Sequence, residues 1–316
     1  MVQLVEELGE MKLLERLHSF VSGKKALVGV GDDAAVIRVG KEQLLLSTDS
    51  LVEGVHFSFP WYSPYEVGKK AITVNVSDIV AMGGKAEYAL VSLIVPPKMS
   101  LDVLDGIYKG ISAAGKTYHV EVVGGNVSKG NQLVVDVTLV GSVQKKNLCL
   151  RKDAKPGDFI MVSGPLGGSA AGLALYAQRK KGFTRLEKLH RNPIVDVSFA
   201  SGFLGSLHAM QDISDGLVCD LGHICKASKV GAVLYADNIP FSPDVPEAAK
   251  VLGKNPLDFA LYGGEEYCLL FTVPGNKLSS VSGYLIGEIT KKRGIRLYKQ
   301  GKEKRLSVKG HDHFSV

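Results

Sequence analysis

The apolar positions of this chain fall into runs with two different periods. Residues 11–21 (MKLLERLHSFV) repeat at helical spacing. Residues 26–39 and 43–52 alternate or run apolar as strands do, with a polar turn at Gly40 and Lys41 between them. A helix is predicted over residues 64–82, with proline in its first turn and Gly83 and Gly84 as its stop. EYALVSLIV reads as a buried strand and SLDVLDGIYKGISAAGKTYH as a second long helix. VEVVGGNVSKG and NQLVVDVTLVGSV read as two further strands around a glycine turn. The polar break QKKNLCLRKDAKPGD follows, and the pattern then restarts with strand DFIMVSG, loop GPLGG and helix SAAGLALYAQRK. Later come a helix from Ser214 and strands at GAVLYAD and YCLLFTVP. The expected domains are therefore residues 1–148 and 149–316. The fold class is α/β, in the form of two-layer α+β sandwiches rather than a doubly wound sheet.

Composition narrows the class without deciding the function. The chain has 316 residues, 45% of them hydrophobic and 22% charged, which is enough for two cores. Cys149, Cys219, Cys225 and Cys268 form no CxxC pair, so reduced thiols are expected in place of disulfides or zinc. The first residues, MVQLVEELGEMKLLERL, carry acids where a secretory signal needs a basic start. No apolar run approaches the roughly 20 residues that span a bilayer. The expectation is a cytoplasmic protein with no membrane partner. The net charge of +6 is concentrated in residues 291–305, KKRGIRLYKQGKEKR, which hold eight Lys or Arg and one Glu. That segment reads as a β-hairpin with a solvated basic face, and it lacks the interleaved aromatics of a nucleic-acid arm.

The chemistry is carried by oxygen ligands. In GDDAAVIRVGKEQLLLSTDSLVEGVHF, Asp32 and Asp33 open one strand-like run, and Ser47, Thr48 and Asp49 close the next. Carboxylates and hydroxyls without nearby Cys or His suit Mg²⁺. Similar groups recur at Asn75 and Asp78, which share a helix face, and at Asp212 and Asp215 in DISDGL. Each acid alone reads as a turn or helix cap, Asp212 or Ser214 as a cap of the helix beginning near Asp215. Together they do not, because two like charges about 4 Å apart repel by roughly 4 kcal/mol at an effective dielectric near 20. A fold that gathers them needs cations, which points to a phosphate-handling enzyme. Gly29-Val30-Gly31-Asp32-Asp33-Ala34 matches the GxGxxA spacing, but AVIRV after it reads as a strand and two acids repel a pyrophosphate. No P-loop motif is present. The loop at residues 163–169 either offers a phosphate site at the next helix or is a close-packed turn.

Taken in order, GDDAAV, STDSLVEGVHF, VNVSDIVAMGG, VVGGNVSKG, SGPLGGSAAGL, DISDGL, YGGEEYCLLF and the closing HF resemble the thiamine-monophosphate kinase family over nearly the whole chain. That family lies within the superfamily of aminoimidazole ribonucleotide synthetase. The resemblance implies two α/β domains and a homodimer whose N-terminal sheets form a barrel across the two-fold axis. It implies phosphorylation of thiamine monophosphate by ATP with several Mg²⁺ ions. The metal ligands it implies are Asp33, Ser47, Thr48, Asp49, Asp78, Asn126, Asp212 and Asp215, with Asp49, Asp78 and Asp215 central to catalysis. ATP would lie against Tyr108, Gly125, Asn126, Arg151 and Ser214. His56, Glu265 and His311 would face the thiamine phosphate. Three positions depart from the family pattern: Asn126 stands where many members have Asp, Glu266 makes GGEEY of the usual GGEDY, and His311 replaces an aromatic. A phosphate acceptor is already deprotonated near neutral pH, so a direct transfer needs no general base.

Overall fold

The computed structural model describes residues 10–20 and 25–308. After helix α1 (Glu10–His18), the first half contains β1 (Ala35–Val39), β2 (Glu42–Val52), α2 (Pro64–Ala81), β3 (Lys85–Val95), α3 (Leu101–Tyr118), β4 (Glu121–Lys129) and β5 (Val134–Val143). Its five strands lie in the order β1-β2-β5-β3-β4. The expected extended run over residues 26–39 is broken: only β1 is a strand, and Val28, Val30 and Asp32 make isolated bridges. Gly31, at φ +115°, takes a conformation that L side chains disfavour, and it turns the two following acids out of the strand. The strands read around a glycine turn are not partners. β4 pairs in parallel with β3, across helix α3, while β5 inserts antiparallel between β2 and β3. A four-residue loop therefore carries the chain over the end of β3.

The second half contains β6 (Phe159–Val162), α4 (Gly168–Ala177), α5 (Thr184–Arg191), β7 (Ala209–Asp212), α6 (Leu217–Ser228), β8 (Gly231–Tyr235), α7 (Val245–Leu252), α8 (Pro256–Tyr262), β9 (Leu269–Val273), β10 (Tyr284–Thr290), β11 (Gly294–Lys299) and β12 (Lys302–Arg305). Seven strands form a mixed sheet in the order β12-β11-β8-β10-β6-β9-β7. The basic hairpin is present as β11 and β12, turning at Gln300 and Gly301, both with positive φ as a tight hairpin turn requires.

Helix α2 is the hub between the two sheets. Ser63 and Glu66 close its start reciprocally, with Glu66 N–H donating to Ser63 Oγ at 3.3 Å and Ser63 N–H donating to Glu66 Oε2 at 2.9 Å. Most of its residues between Val67 and Ala81 are buried, which explains why its sequence is apolar on several faces. The period-two pattern of the second sheet completes the layers. Met161, Met210, Leu269, Phe271 and Val273 join the core around α2, while Ile160, Val162, Ala209 and Leu270 pack with α6 and α8 on the other face. The opposite face of the first sheet carries Tyr88, Leu90 and Ile94, each more than 40% exposed, and β4 is exposed along its whole length.

Helices α2 and α3 touch backbone to backbone. A Cβ on Gly68 would stand 1.9 Å from the Ile107 carbonyl oxygen, and one on Gly110 would stand 2.0 Å from that of Tyr65. Gly110→Ala should push the helices apart and lower stability by about 1–3 kcal/mol. Gly205→Ala, where a Cβ meets nothing within 4 Å, should leave the urea midpoint unchanged. Equal midpoints for the two variants would remove the close approach as a constraint.

Candidate active site

Four elements deliver acids to one point. Ser47 and Asp49 alternate onto the α2-facing side of β2, Asp78 stands on the last turn of α2, Asp212 ends β7, and Asp33 lies in the turn before β1. Oxygen atoms of Asp33, Asp78 and Asp212 lie within 4.8 Å of one another. Ser47 Oγ donates to Asp78 Oδ2, and Ser77 Oγ donates to Asp212 Oδ2 at 2.6 Å. Arg151, just after the polar break, donates to Asp33 and has its backbone N–H 3.2 Å from Asp32 Oδ2.

The electrostatics match this crowding. Burial, then Asp49, Asp212 and Asp33, pushes the Asp78 carboxyl well above the usual carboxylate range. Asp49 is pushed up to about 6 by burial and by Asp212, Asp136 and Asp215, although it opens onto the cavity. Asp33 is pushed up to about 8 because burial outweighs the opposing Arg151. Asp212 is raised by burial against the pull of Ser77 and Arg151. One oxygen of Asp33, Oδ2, is buried with no hydrogen-bond partner. An all-oxygen donor set with an orphaned carboxylate oxygen fits a hard divalent cation.

A cavity of about 1000 Å³ runs from these acids to an aromatic end. Asp49, Asp78, Asp212, Ser214, Asp215, His56 and Glu265 all line it. Lys70, fully buried on α2, makes an ion pair with Glu265 at 2.8 Å and donates to Tyr62 Oη at 3.0 Å. Burial works to raise the Glu265 carboxyl, but Lys70 and His190 hold it below its usual range. Burial pushes His190 itself down to about 4, so its ring is neutral at pH 7 and shares Nδ1 between Glu265 and Ser169. Lys70 is therefore the main partner of Glu265. Trp61 stacks on Tyr176 at 3.9 Å and on His190 at 5.1 Å, giving a three-ring wall. Sequence reasoning missed Lys70, Trp61, Tyr176 and His190. The signal available was a lysine inside the apolar run of α2, which only a buried partner makes tolerable.

Other expected residues lie elsewhere. Thr48 alternates to the opposite side of β2 and bonds to Val137 O and Thr138 Oγ1, both at 3.2 Å. Tyr108 lines a separate cavity of about 380 Å³ with His119 and Val122. Asn126 is opposite Ser92 on the edge strand and donates to Ser128 Oγ at 3.2 Å. Gly125 approaches β3 so closely that a Cβ would meet Val91 O at 1.8 Å. Asn75 bonds back to Ala71 O on its own helix. His311 lies outside the described residues. Neither Asp212 nor Ser214 caps a helix: α6 begins at Leu217, and Asp220 Oδ2 accepts from the N–H groups of Asp215 and Gly216 at 3.2 and 3.0 Å. The α4 N-terminus is closed to phosphate, because Glu266 Oε1 accepts from Ser169 N–H at 3.0 Å.

A pH dependence follows. Asp33 and Glu266 both stand at about 8 in the fold, above their unfolded values, so the folded state keeps protons that the unfolded chain gives up. Stability is lost as pH rises through the folded value. Between pH 6.5 and 8, above the range where His190 and His223 titrate, protein in EDTA should lose roughly 1–2 kcal/mol for each group. Melting curves check it: Asp33→Asn should flatten the fall, and Mg²⁺ at pH 8 should raise the parent's melting temperature. A rise in stability with pH in EDTA would contradict the assigned burial.

Known proteins show the same arrangement of sequence. Residues 31–143 match the AIR synthase related protein N-terminal domain, and residues 155–300 match the corresponding C-terminal domain. The thiamine-monophosphate kinase of Aquifex aeolicus is 36% identical over 315 residues, covering 98% of this chain and 99% of the relative. That of Bacillus subtilis is 38% identical over 255 residues, covering 78% of this chain and 77% of the relative. A solved structure of AaThiL complexed with AMPPCP and TMP superimposes with a TM-score of 0.91 at 35% identity, covering 99% of each chain. With both halves matched and the acid-lined cavity between them, the chain belongs to the thiamine-monophosphate kinase family, on the two-domain AIR synthase-like α/β fold.

Proposed function

We propose that this chain transfers the γ-phosphoryl group of ATP to thiamine monophosphate, giving thiamine diphosphate and ADP. The observation that carries the reading is the single cavity with clustered carboxylates at one end and stacked aromatic rings at the other. The related AaThiL was solved with AMPPCP, an ATP analogue, and TMP. The Trp61–Tyr176 wall suits a flat cationic heteroaromatic ring, and His56, Glu265 and His311 are assigned to the same substrate. Lys70 keeps Glu265 ionised and fixed at the cavity wall.

The acids Asp33, Asp49, Asp78, Asp212 and Asp215, with Ser47, would hold several Mg²⁺ ions, whose contribution when bound is neutralisation of phosphoryl charge. The residues' own part is positional. Ser47 fixes one Asp78 oxygen and Ser77 fixes one of Asp212, so the remaining oxygens keep their direction without a moving loop. Transfer is read as direct and in line, because the acceptor phosphate needs no base. Trapping labelled phosphate covalently on the protein would overturn that step.

We also assign a cytoplasmic homodimer with functional units at residues 1–148 and 149–316. Support for the dimer comes from the bare face bearing Tyr88, Leu90 and Ile94, and from Tyr108, Gly125 and Asn126 standing beside it, away from the cavity. A nucleotide site using Tyr108, Gly125, Asn126, Arg151 and Ser214 would be completed by joining two such faces into a barrel. Ile94→Lys should then give monomers by sedimentation and lower activity together; a monomeric parent would refute the barrel.

The deciding assay is incubation with ATP, Mg²⁺ and thiamine monophosphate, with products separated by chromatography. ADP and thiamine diphosphate in equal amounts are expected, and ATP hydrolysis alone would sink the proposal. Asp78→Asn should lower kcat at least about 100-fold. In EDTA its melting temperature should equal or exceed the parent's, since a carboxyl that is costly to ionise there is gone. Near-parental turnover would remove Asp78 from the metal site.

A further inference from the structure

Helix α6 carries a second group of ligand-type side chains, which the all-oxygen cluster does not use. Cys219 and His223 are four residues apart, and Asp220 and His223 three apart, so they share one helix face, with Asp215 in the turn just before it. One ligand atom from each of Asp215, Cys219, Asp220 and His223 lies within 4.8 Å of all the others. Cys219 Sγ approaches one nitrogen of His223, Nε2, at 3.9 Å, and Asp220 Oδ1 the other, Nδ1, at 3.7 Å; an ion takes one of the two, so the 4.8 Å bound on the one-atom set is the spacing that applies. A tetrahedral zinc ion, with bonds of about 2.0–2.3 Å, sets its ligand atoms roughly 3.3–3.8 Å apart. The group is therefore within about an ångström of closing on such an ion.

Three further features distinguish it from a patch of acids. The donor set mixes sulfur, imidazole nitrogen and carboxylate, which selects zinc-like ions over Mg²⁺. His223 Nδ1 is buried and has no hydrogen-bond partner. The Asp220 side chain is 1% exposed, and its Oδ2 is fixed by two backbone N–H groups, so Oδ1 is held toward His223. Cys219 and His223 are only partly buried, which leaves a way in. The cysteine spacing concealed this arrangement, because the second soft ligand is a histidine one helical turn on and not another cysteine.

We propose that Asp215, Cys219, Asp220 and His223 form a binding site for a borderline-soft divalent cation of the zinc class, distinct from the hard-metal cluster but sharing Asp215 with it. Asp215 lines the catalytic cavity and adds to the charge felt by Asp49. An ion on α6 draws that carboxylate out of the hard-metal set, so occupancy inhibits the enzyme; this consequence rests on the kinase reading above, whereas the binding does not.

The test uses the full chain, freed of metal with EDTA and dialysed. Titration with Co²⁺ should give an ultraviolet thiolate-to-cobalt charge-transfer band at one equivalent, which Zn²⁺ removes and excess Mg²⁺ does not. Cys219→Ser should abolish the band and weaken Zn²⁺ binding, measured against a chromogenic chelator, by about 10–100-fold. His223→Gln should do the same. In the kinase assay Cys219→Ser should keep parental turnover without zinc and need at least tenfold more Zn²⁺ for half inhibition. Absence of the band in the parent, or its persistence in Cys219→Ser, overturns the site. A band lost in the variant with unchanged zinc inhibition overturns the coupling through Asp215. Because the cobalt band requires no turnover, a wrong substrate would leave the binding result standing.

Discussion

Repulsion among Asp33, Asp49, Asp78 and Asp212 is the constraint around which the rest of the molecule is arranged. These acids come from four elements in both halves, and burial raises every one of their carboxyls. Left to themselves they would separate the halves or stay protonated. What brings them together is the packing of α2, buried along most of its length between the first sheet and Met210, Leu269 and Phe271 of the second. One hydrophobic layer thus holds a cluster of acids in place, and protons or cations must offset their charge at neutral pH. The same helix anchors the other end of the cavity. Lys70 and Asp78 are eight residues apart, a rise of about 12 Å, so α2 sets the spacing between the Glu265 network and the acids.

Glu265 and Glu266 show how finely the second half directs neighbouring carboxylates. Glu265 and Tyr267 both adopt positive φ, at 59° and 52°, a conformation that costs non-glycine residues on the order of 1–3 kcal/mol each. The resulting twist sends Glu265 into the cavity toward Lys70 and Glu266 back onto the start of α4. Packing on Ser169 and the N–H groups of the α4 turn retains the strain. A departure from the family motif by one methylene thus sits at a helix terminus, where the N–H groups of Ser169 and Gly167 oppose the rise in the Glu266 carboxyl that burial causes without cancelling it.

Much of this was legible in the sequence. The long helices α2 and α3 and strands β2, β3 and β5 follow from periodicity, but the expected ligand set ignores the alternation in β2 that separates Thr48 from Ser47 and Asp49. The oxygen-rich motifs marked Asp33, Asp78 and Asp212 as acids that belong together, and the fold does gather them. What periodicity could not supply was strand order: β5 lies between β2 and β3 because of a crossover through α3, which is a long-range decision. It also could not supply pairing partners. Lys70 gains its meaning only from Glu265, 195 residues away in the chain and beside it in the fold. The helix expected from Ser214 begins only at Leu217, because Asp220, in its first turn, reaches back to the N–H groups of Asp215 and Gly216, a role that Asp212 or Ser214 would have filled had they been simple caps. Asp212 was thereby released for the acid cluster.

The remaining charge in the cavity decides what kind of ligand it accepts. Among the described residues, Lys70 is committed to Glu265, Arg151 to Asp32 and Asp33, and Arg191 to Glu66. The α4 terminus, which might have offered backbone N–H groups to a phosphate, is filled by Glu266. The lysine and arginine side chains that line the cavity without an ion pair are Lys304 and Arg305 on β12. They give the basic hairpin a place beside the site, although two exposed cations cannot balance the two phosphorylated substrates proposed above. Under the proposed kinase reading, neutralisation at the acid end would fall to cations held by these carboxylates. The carboxylates of Asp33, Asp78 and Asp212 are costly to bury charged, so a proton or a cation beside them favours the packing that α2 makes between the two halves.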